Sequence, residues 1–371
     1  MYPVPEFRTS NRILMGPGPS NVNPRVLKAM STPLVGHLDP QFLSIMEDVK
    51  AMAQATFQTV NELTFIVSAP GSAGMETALV NILEPGDEAL VCINGVFGNR
   101  MAEIANRCGA NVKRVEASWG EPIDPAQVND MLGKSNPKIV AIVHAETSTG
   151  VMQPLVEISQ MTHDAWALLV VDAVTAYCGS PLPIDDWEID VVYSGTQKCL
   201  SAPPGLSPVS FNDRAVEVLE KRKTKVQSWF LDLNLVREYW FGAKRAYHHT
   251  APVSSIFALH EAYRIVLEEG LENRYKRHIQ NHKLLLTGLE SMGFEFLVNK
   301  SYRLPMLNAV RTPHGINDSE VRSQLLNEYN IEIGAGLGQF AGNVWRIGLM
   351  GESSTADHVY LLLSALKDIL K

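Results

Sequence analysis

The sequence has few cysteines and no strong excess of either charge. Its four cysteines, Cys92, Cys108, Cys178 and Cys199, show no Cys-x-x-Cys spacing, so neither a zinc site nor a disulfide framework is indicated. With 32 Lys and Arg against 40 Asp and Glu, the net charge is -8, and the chain lacks the basic excess typical of nucleic-acid binding. We therefore expect a small-molecule ligand, no nucleic-acid partner, no metal and a reducing, cytoplasmic location.

Long hydrophobic runs are also missing. No stretch of about eighteen apolar residues occurs, so we expect no membrane-spanning helix. Residues 1–8 contain Glu6 and two prolines but no apolar segment of signal-peptide length, so we expect no leader. The chain has 371 residues, 46% of them hydrophobic, whereas single cores stop growing at roughly 250–300 residues. Two unequal domains are therefore expected.

Short apolar runs alternate with amphipathic stretches in the first half of the chain. The runs are rich in Val, Ile and Leu, as buried strands are. This alternation predicts an α/β fold with a mostly parallel sheet covered by helices on both faces, in which ligands bind at the carboxyl ends of the strands. The predicted strands span residues 63–68, 88–93, 138–144, 167–172 and 191–194.

From about Val253 the pattern changes. A long helical period predicts a connecting helix, which is followed by a charged segment at 268–278 and a second amphipathic helix ending at Met292. We therefore expect a separate, smaller α+β domain after the large one. The predicted domains are an N-terminal arm at 1–20, a large domain at 21–265 and a small C-terminal domain at 266–371. In the small domain we predict strands at 294–298 and 344–348, and helices at 319–328 and from about 355.

Two residues with reactive side chains each follow a predicted strand. Asp172 ends the run 167–172 and Lys198 follows the run 191–194, so both are expected to reach the same cleft. Taken alone, such an aspartate is usually a helix cap or a loop residue, and a lysine is usually exposed. Together they match the needs of a pyridoxal phosphate (PLP) enzyme. There a lysine amine forms an imine with the cofactor, and a carboxylate keeps the pyridine nitrogen protonated.

Small residues at 70–74 separate a predicted strand from a helix predicted to begin near Met75. Backbone amides and the Ser72 hydroxyl have room there to approach a phosphate at the positive end of the helix, although an ordinary strand-to-helix turn has the same composition. Two other phosphate-binding motifs fail. The Gly-Lys-Ser at 133–135 has Val128 where a P-loop requires its first glycine, and no Gly-x-Gly-x-x-Gly follows a strand.

Adjacent histidines, His248 and His249, resemble a metal-binding pair only superficially. Neighbouring residues of an extended chain point to opposite faces, so the two rings are not expected to share one ion. A structural role is the better interpretation.

Seven motifs, in order along nearly the whole chain, resemble those of class V aminotransferases. Within that family the resemblance is to the alanine–glyoxylate and serine–pyruvate aminotransferases and to their relatives, the ureidoglycine–glyoxylate aminotransferases. It implies the PLP-dependent transferase fold type I, with a mostly parallel mixed sheet sandwiched by helices in a large PLP-binding domain and a smaller α+β C-terminal domain. The motifs are GPGPS (16–20), PGSAG (70–74), HAETSTG (144–150), VDA (171–173), SGTQK (194–198), YHHT (247–250) and WRIG (345–348).

The resemblance implies roles around the cofactor ring. Lys198 is expected to be the Schiff-base lysine and Asp172 the partner of the pyridine nitrogen, with Val174 packed under the ring. Phe97 stands where the family has an aromatic residue, often Trp, stacked on the other face, and π-stacking survives the change to Phe. Thr147 is expected to hydrogen-bond the oxygen edge of the ring.

The resemblance also implies how the phosphate is held. Gly71, Ser72 and Gln197 are expected to bind it within the chain. Tyr247 and Thr250 resemble residues that a neighbouring subunit contributes to the phosphate, which implies a homodimer with shared active sites.

The stretch between Lys198 and Tyr247 is unusually apolar for a solvent-facing loop. We expect its aromatic residues to be buried against a second subunit, the alternative being that they pack on their own large domain. These residues are Trp229, Phe230, Tyr239, Trp240 and Phe241.

Arg346 is the expected ligand of the substrate carboxylate. A guanidinium offers two parallel donors that match the two oxygens of a carboxylate. The alternative is a salt bridge at the domain interface, and the Trp-Arg-Ile-Gly context favours the substrate role.

The implied activity is a ping-pong transamination from alanine or serine to a 2-oxo acid, glyoxylate or pyruvate. Ureidoglycine–glyoxylate transfer is the second interpretation. Tyr247 favours the first, because the ureidoglycine group tends to have an amide residue there. A cysteine desulfurase needs a nucleophilic cysteine in the later half, and none follows Cys199. A catalytically silent binding module on the same scaffold is disfavoured, because every residue that the chemistry needs is present.

Overall fold

The computed structural model describes residues 4–242 and 245–371 of the chain. The first three residues of the predicted N-terminal arm lie outside the described residues. Within the described ranges, none of the helices combines the length and the apolar character needed to cross a bilayer.

Strands occur along most of the chain, and half of them join one large sheet. In chain order they are β1 (Ile13–Leu14), β2 (Leu63–Val67), β3 (Glu88–Ile93), β4 (Asn111–Glu116), β5 (Ile139–Val143), β6 (Ala145–Glu146), β7 (Val151–Met152), β8 (Leu168–Asp172), β9 (Val191–Tyr193), β10 (Ser207–Phe211), β11 (Leu307–Arg311), β12 (Ile331–Glu332), β13 (Gly334–Ala335) and β14 (Val344–Gly348). The large sheet has the order β2-β10-β9-β8-β5-β3-β4. Strands β9, β8, β5, β3 and β4 are parallel, whereas β10 is antiparallel to both of its neighbours. This confirms the predicted mostly parallel, mixed sheet.

Helices connect these strands, and several begin at strong start signals. In chain order they are α1 (Pro24–Met30), α2 (Pro40–Phe57), α3 (Gly71–Ile82), α4 (Val96–Arg107), α5 (Pro125–Leu132), α6 (Val156–Asp164), α7 (Asp213–Glu220), α8 (Leu233–Trp240), α9 (Val253–Glu269), α10 (Leu271–Ser291), α11 (Asp318–Glu328) and α12 (Ala356–Ile369). Before α1, α2 and α5, the side chains of Asn23, Asp39 and Asp124 accept a backbone N–H, and a proline follows at once. Every residue of β2, β5, β8, β9 and β10 is buried, so both faces of the sheet are covered.

The five strands predicted in the first half are all present, as β2, β3, β5, β8 and β9, with bounds that differ by at most a residue at either end. The predicted strand 344–348 and the last two predicted helices are confirmed as β14, α11 and α12. Eight strands among the described residues were not predicted: the longer strands β4, β10 and β11, and the two-residue strands β1, β6, β7, β12 and β13.

Three predicted elements differ from the structure. Residues 294–298 are not a strand, because their pairing with β11 is limited to an isolated bridge between Phe296 and Val310. Helix α3 begins at Gly71 rather than near Met75, so the small residues of the turn form its first turn. The predicted charged segment at 268–278 is not an element separate from the second helix, because α10 runs without a break from Leu271 to Ser291 and includes most of that segment.

Buried apolar side chains form two main cores. The larger core surrounds the sheet, and its buried residues extend along the chain from Val26 to Val266. The smaller core contains Met15 together with residues between Leu285 and Leu366. The domain limits at 20 and 265 remain a prediction, and the second falls inside α9.

The N-terminal segment links the two cores. Strand β1 pairs in parallel with β12, and Gly348 N donates to Met15 O at 2.7 Å. A few residues further on, Ser20 N donates to Gln197 O at 2.9 Å, and Ser20 Oγ donates to Lys198 O at 2.7 Å. The segment therefore runs from the smaller core to the backbone of the lysine that the sequence singles out.

Candidate active site

A cavity of about 170 Å³ lies at the carboxyl ends of β5, β8 and β9. Most of the predicted site residues line it: Gly71, Ser72, Phe97, Thr147, Asp172, Val174, Gln197 and Lys198. Met75, Arg100, Val143, Ala145 and Thr175 complete the lining. The structure thus brings the predicted lysine, carboxylate and small-residue turn together from distant parts of the chain.

Asp172, the last residue of β8, is held by two hydrogen-bond donors. Val174 N donates to its Oδ1 at 2.9 Å, and Tyr193 OH donates to its Oδ2 at 2.9 Å. Burial raises the pKa of Asp172 to about 6, and the charge of Glu146 adds to that rise while the two donors oppose it. The carboxylate is therefore fixed in orientation at the cavity wall.

Lys198 is buried beneath Gly18 of the N-terminal segment. Its Nζ donates to Pro17 O. A Cβ at position 18 would lie 2.7 Å from Lys198 Cδ, and the φ of 102° favours glycine there in any case. Burial, together with the positive charge of Arg346, lowers the pKa of Lys198 to about 8. The neutral, nucleophilic amine is therefore more populated at neutral pH than in an ordinary lysine.

The amino end of α3 contributes donors to one part of the cavity. Its cap residue, Pro70, makes no side-chain hydrogen bond, so no capping side chain occupies the amides of Gly71 and Ser72. Arg100 Nη1 donates to Ser72 Oγ at 3.3 Å. Gln197 Oε1 is buried and has no hydrogen-bond partner among the described residues, and the Nε2 of the same amide is the atom that can donate to an anion. Amide, hydroxyl and guanidinium groups at a helix start suit a phosphate.

Phe97 and Val174 line another part of the cavity. Phe97 lies in the first turn of α4, and the guanidinium carbon of Arg100 is 5.0 Å from the centroid of its ring. Val174 follows β8 by two residues and is only partly buried. An aromatic ring and a branched aliphatic side chain in one cavity suit a planar ligand.

Arg346 lies on β14, in the smaller core, and is not among the residues that line the cavity. Its Nε donates to Ala335 O at 2.6 Å and its Nη1 donates to Thr147 O at 3.2 Å. Burial lowers the pKa of Arg346 to about 10. Among the described residues, its hydrogen bonds go to these two carbonyl oxygens and to no carboxylate, so the salt-bridge alternative is not what the structure shows.

Tyr247 and Thr250 do not line the cavity of their own chain. The side chain of Tyr247 is 64% exposed, and Thr250 is exposed as well. Their two hydroxyl oxygens are 3.5 Å apart. The pair therefore presents its hydroxyl groups outward from this subunit.

His248 and His249 contact each other, so the expectation that they point to opposite faces is wrong. Their Nδ1 atoms are 2.8 Å apart, because the segment is not a strand and lacks strand alternation. His249 Nε2 also lies 2.7 Å from Ser68 Oγ, and the ring of Trp229 stacks on His248 at 4.6 Å. Within 4–242 and 245–371, no group of three or more His, Cys, Asp and Glu side chains could hold a metal ion.

The apolar stretch before Tyr247 is divided between interior and surface. Tyr239 and Trp240 are buried in the chain's own larger core, so the prediction that the whole stretch packs on a second subunit is wrong for them. Trp229 is 63% exposed and Phe230 is 37% exposed. Only the first part of the stretch remains available to a partner.

Several residues of this region received no role from the sequence. Gly18, Ser20 and Glu146 fall inside two of the motifs, and that membership was their only signal. Arg100 lies in α4 and Tyr193 in β9. A charged residue in a helix and an aromatic residue in a strand are common, so neither residue stood out in the sequence.

A mostly parallel sheet that brings a buried lysine and a carboxylate together at its carboxyl ends defines the class of PLP-dependent transferases. Within that class, the aminotransferase class-V family model matches residues 13–346. The chain belongs to the class V aminotransferase family, as its motifs indicated.

Relatives from three sources agree with this assignment. The alanine–glyoxylate aminotransferase of Mus musculus is 42% identical, over 100% of this chain and 92% of its own. The (S)-ureidoglycine–glyoxylate transaminase of Bacillus subtilis (strain 168) is 39% identical, over 98% of this chain and 92% of its own. The crystal structure of an alanine–glyoxylate aminotransferase from Nostoc sp. matches with a TM-score of 0.98 and 44% identity, over 100% of this chain and 98% of that one. The predicted fold type, enzyme class and PLP cofactor are thereby confirmed.

The residues of the cavity fit this cofactor. The donors at the start of α3 match a phosphate, and Gln197 lines the same cavity with an Nε2 that can donate to it. Asp172 offers a carboxylate to a ring nitrogen, and Lys198 offers an amine with a lowered pKa to an aldehyde. The donor set is that of a PLP site.

The lowered pKa of Lys198 predicts how the apoprotein takes up its cofactor. Only a neutral amine attacks an aldehyde, so the rate of covalent loading should rise about tenfold per pH unit and level off above a pH of about 8. Arg346→Met should move the midpoint upward, because the positive charge of Arg346 lowers this pKa. Stopped-flow absorbance after mixing apoprotein with PLP measures the profile.

Borohydride reduction and peptide mapping provide the control for that experiment. The cofactor should be recovered on Lys198. Recovery on another lysine, or a midpoint near the usual 10.5, would contradict the assignment.

Proposed function

We propose that this chain transfers the amino group of alanine or serine to glyoxylate or pyruvate. The observation that carries the proposal is the cavity that joins Lys198 to Asp172, with the guanidinium of Arg346 hydrogen-bonded to a residue of its wall. The relatives from Mus musculus and Nostoc sp., both named alanine–glyoxylate aminotransferases, support this choice of substrates.

Three side chains act on the reacting part of the cofactor in this proposal. When bound, PLP supplies an electron sink that stabilises the charge left on the substrate α carbon after its proton is removed. Asp172, fixed by its two donors, keeps the pyridine nitrogen protonated. Lys198 attaches the cofactor and, once the amino donor has displaced it, moves a proton at the substrate α carbon. Thr147 binds the oxygen edge of the ring.

The other cavity residues hold the cofactor in place. Gly71 and Ser72, in the first turn of α3, and Gln197 bind the phosphate, where the positive end of the helix favours an anion. Phe97 stacks on one face of the ring and Val174 packs on the other. None of these contacts requires the covalent bond to Lys198.

Arg346 binds the carboxylate that amino donors and 2-oxo acids share. Two backbone oxygens orient its guanidinium. Among the described residues, none accepts from Nη2 or from the second N–H of Nη1, so these two groups can bind the two oxygens of a carboxylate. A shared carboxylate site is what a ping-pong enzyme needs, because its two substrates use the same site in turn.

Transfer from ureidoglycine to glyoxylate is the second candidate. It is supported by the relative from Bacillus subtilis, named a ureidoglycine–glyoxylate transaminase, at 39% identity. Tyr247, in place of the amide residue typical of that group, favours alanine or serine as the donor.

A panel of amino donors with glyoxylate and pyruvate tests the proposed function. Alanine or serine should be the fastest donor with glyoxylate, and kinetics at varied concentrations of both substrates should show the parallel lines of a ping-pong reaction. Lys198→Ala is the control and should show no turnover. Faster transfer from ureidoglycine would support the second candidate, and no transfer from any donor would contradict both.

Replacing Arg346 by Lys should weaken substrate binding specifically. One ammonium cannot reproduce two parallel guanidinium bonds, so the KM for both amino donor and 2-oxo acid should rise about tenfold or more, while cofactor affinity changes little. Arg346→Met should raise both KM values further. Steady-state kinetics with each substrate measure this, and unchanged KM values would show that another group binds the carboxylate.

We propose a homodimer with shared active sites. Tyr247 and Thr250 present their hydroxyl groups away from their own cavity, which suits contacts to the cofactor phosphate of a partner subunit. Trp229 and Phe230 remain exposed next to His248 and supply apolar surface in the same region. A two-fold interface would form two equivalent sites.

Mixed dimers should reveal shared sites by complementation. Lys198→Ala chains combined with chains changed at both Tyr247→Phe and Thr250→Val should place both defects in one site and neither in the other. Activity should then return toward half of the wild-type value per heterodimer, measured after subunit exchange. Homodimers of each variant are the controls. Confirmed heterodimers without recovered activity would show that both residues act within their own chain.

A cytoplasmic location is also part of the proposal. All four cysteines are free and buried, which fits a reducing compartment.

A further inference from the structure

Helix α4 begins without a capping side chain of its own. Its N-cap residue is Gly95, which has no side chain to accept from the first N–H groups of the helix. The first N–H groups of a helix have no intrahelical acceptor and are costly when buried. Two side chains from the segment after β5 supply acceptors instead. Val96 N donates to Ser148 Oγ at 3.0 Å, and Phe97 N donates to Glu146 Oε2 at 3.2 Å.

Glu146 is surrounded by hydrogen-bond donors. Its Oε1 accepts from Ser148 N at 3.0 Å and from Ser148 Oγ at 2.5 Å, and the backbone N–H of Gly98 donates to the same carboxyl group. The side chain is 0% exposed. Burial raises the pKa of Glu146, and these donors oppose the rise. Because every contact is a donor, the carboxylate form fits the site, at the end of a helix where the dipole favours an anion.

Gly95 leaves the space that Glu146 occupies. A Cβ at position 95 would lie 2.4 Å from Glu146 Cδ and 2.4 Å from Ser148 Oγ. Any side chain there would displace the carboxylate from α4. Ser148 completes the arrangement, because its hydroxyl accepts from Val96 N and donates to Glu146.

The carboxylate of Glu146 connects two walls of the cavity. On one side it binds the backbone of Phe97, whose side chain lines the cavity. On the other side the next residue in the chain is Thr147, whose carbonyl oxygen accepts from Arg346. The negative charge of Glu146 also raises the pKa of Arg346 against the effect of burial. One buried group therefore contacts the proposed stacking residue and precedes the partner of the proposed substrate arginine.

We propose that Glu146 is a positioning residue that fixes Phe97 relative to Thr147 and Arg346, and so aligns the cofactor ring with the substrate carboxylate. The substrate part of this inference rests on the proposed function. The cofactor part concerns only the cavity and PLP.

Glu146→Gln tests the inference with little change in volume. An amide has one acceptor oxygen instead of two and carries no charge, so the acceptor for the N–H groups of α4 is lost or weakened in either orientation of the amide. In the apoprotein, amide hydrogen exchange at Phe97 and Gly98 should become about tenfold faster or more. In the holoprotein, the visible circular dichroism of the bound cofactor should change, the Kd for PLP should rise about tenfold, and KM should rise more than kcat falls.

Asp190→Asn is the matched control. Asp190 is also 0% exposed and accepts from donors, Leu169 N at 2.7 Å, Asn212 Nδ2 at 2.8 Å and Arg214 Nη1 at 3.0 Å. It precedes β9 and so lies at the opposite end of that strand from the cavity. The variant should lower Tm without changing amide exchange at Phe97 and Gly98 or the dichroism of the cofactor.

Ser148→Ala provides a second variant if Glu146→Gln does not fold. It keeps the carboxylate and removes one donor to it together with the acceptor of Val96 N, so smaller shifts in the same direction are expected. Unchanged amide exchange and unchanged dichroism in the folded variants would overturn the inference, as would equal changes in Asp190→Asn. These readouts do not involve substrate, so a wild-type enzyme that fails the donor panel would contradict the proposed function separately.

Discussion

Burial of charge at the carboxyl edge of the sheet is the constraint on which the rest of the structure depends. Glu146, Asp172, Lys198 and Arg346 are each at most 9% exposed, and a buried charge without partners is strongly unfavourable. Backbone groups satisfy most of their hydrogen bonds. Amides of α4 donate to Glu146 and an amide after β8 donates to Asp172, while the two cations donate to the carbonyl oxygens of two loop residues and of one residue of β13. The backbone at this edge must therefore keep one conformation, because each buried charge would otherwise lose its hydrogen-bond partners.

Both cores contribute residues to the site. Lys198 and Asp172 follow strands of the large sheet, whereas Arg346 lies on β14 of the smaller core. The N-terminal segment joins them, because it pairs with β12 and also places Gly18 directly over the lysine. A shift of the smaller core relative to the sheet would therefore change the carbonyl partner of Arg346 and the cover of Lys198 together.

The sequence predicted those features that a local pattern can express. Buried strands appear as apolar runs, and Asp172 and Lys198 were found because each follows such a run. Strand β10 was not predicted, since Pro208 and two serines interrupt its apolar character although all its residues are buried. Strand β4 lies at the edge of the sheet and keeps most side chains partly or fully exposed, so it has no apolar run. Glu146 and Gly18 act through residues far away in the chain, and no local pattern contains such contacts.

The pairing of β1 with β12 has a consequence for biogenesis. Ile13 leaves the ribosome long before its partner Ile331, because the two residues are far apart in the chain. During translation the large sheet can assemble while the amine of Lys198 is still uncovered, since the segment that covers it has no strand to join. Closure of the pocket is therefore expected only after β12 has been synthesised. A chain that stopped before β12 would lack the partner strand of β1 and would leave the amine of Lys198 without its cover.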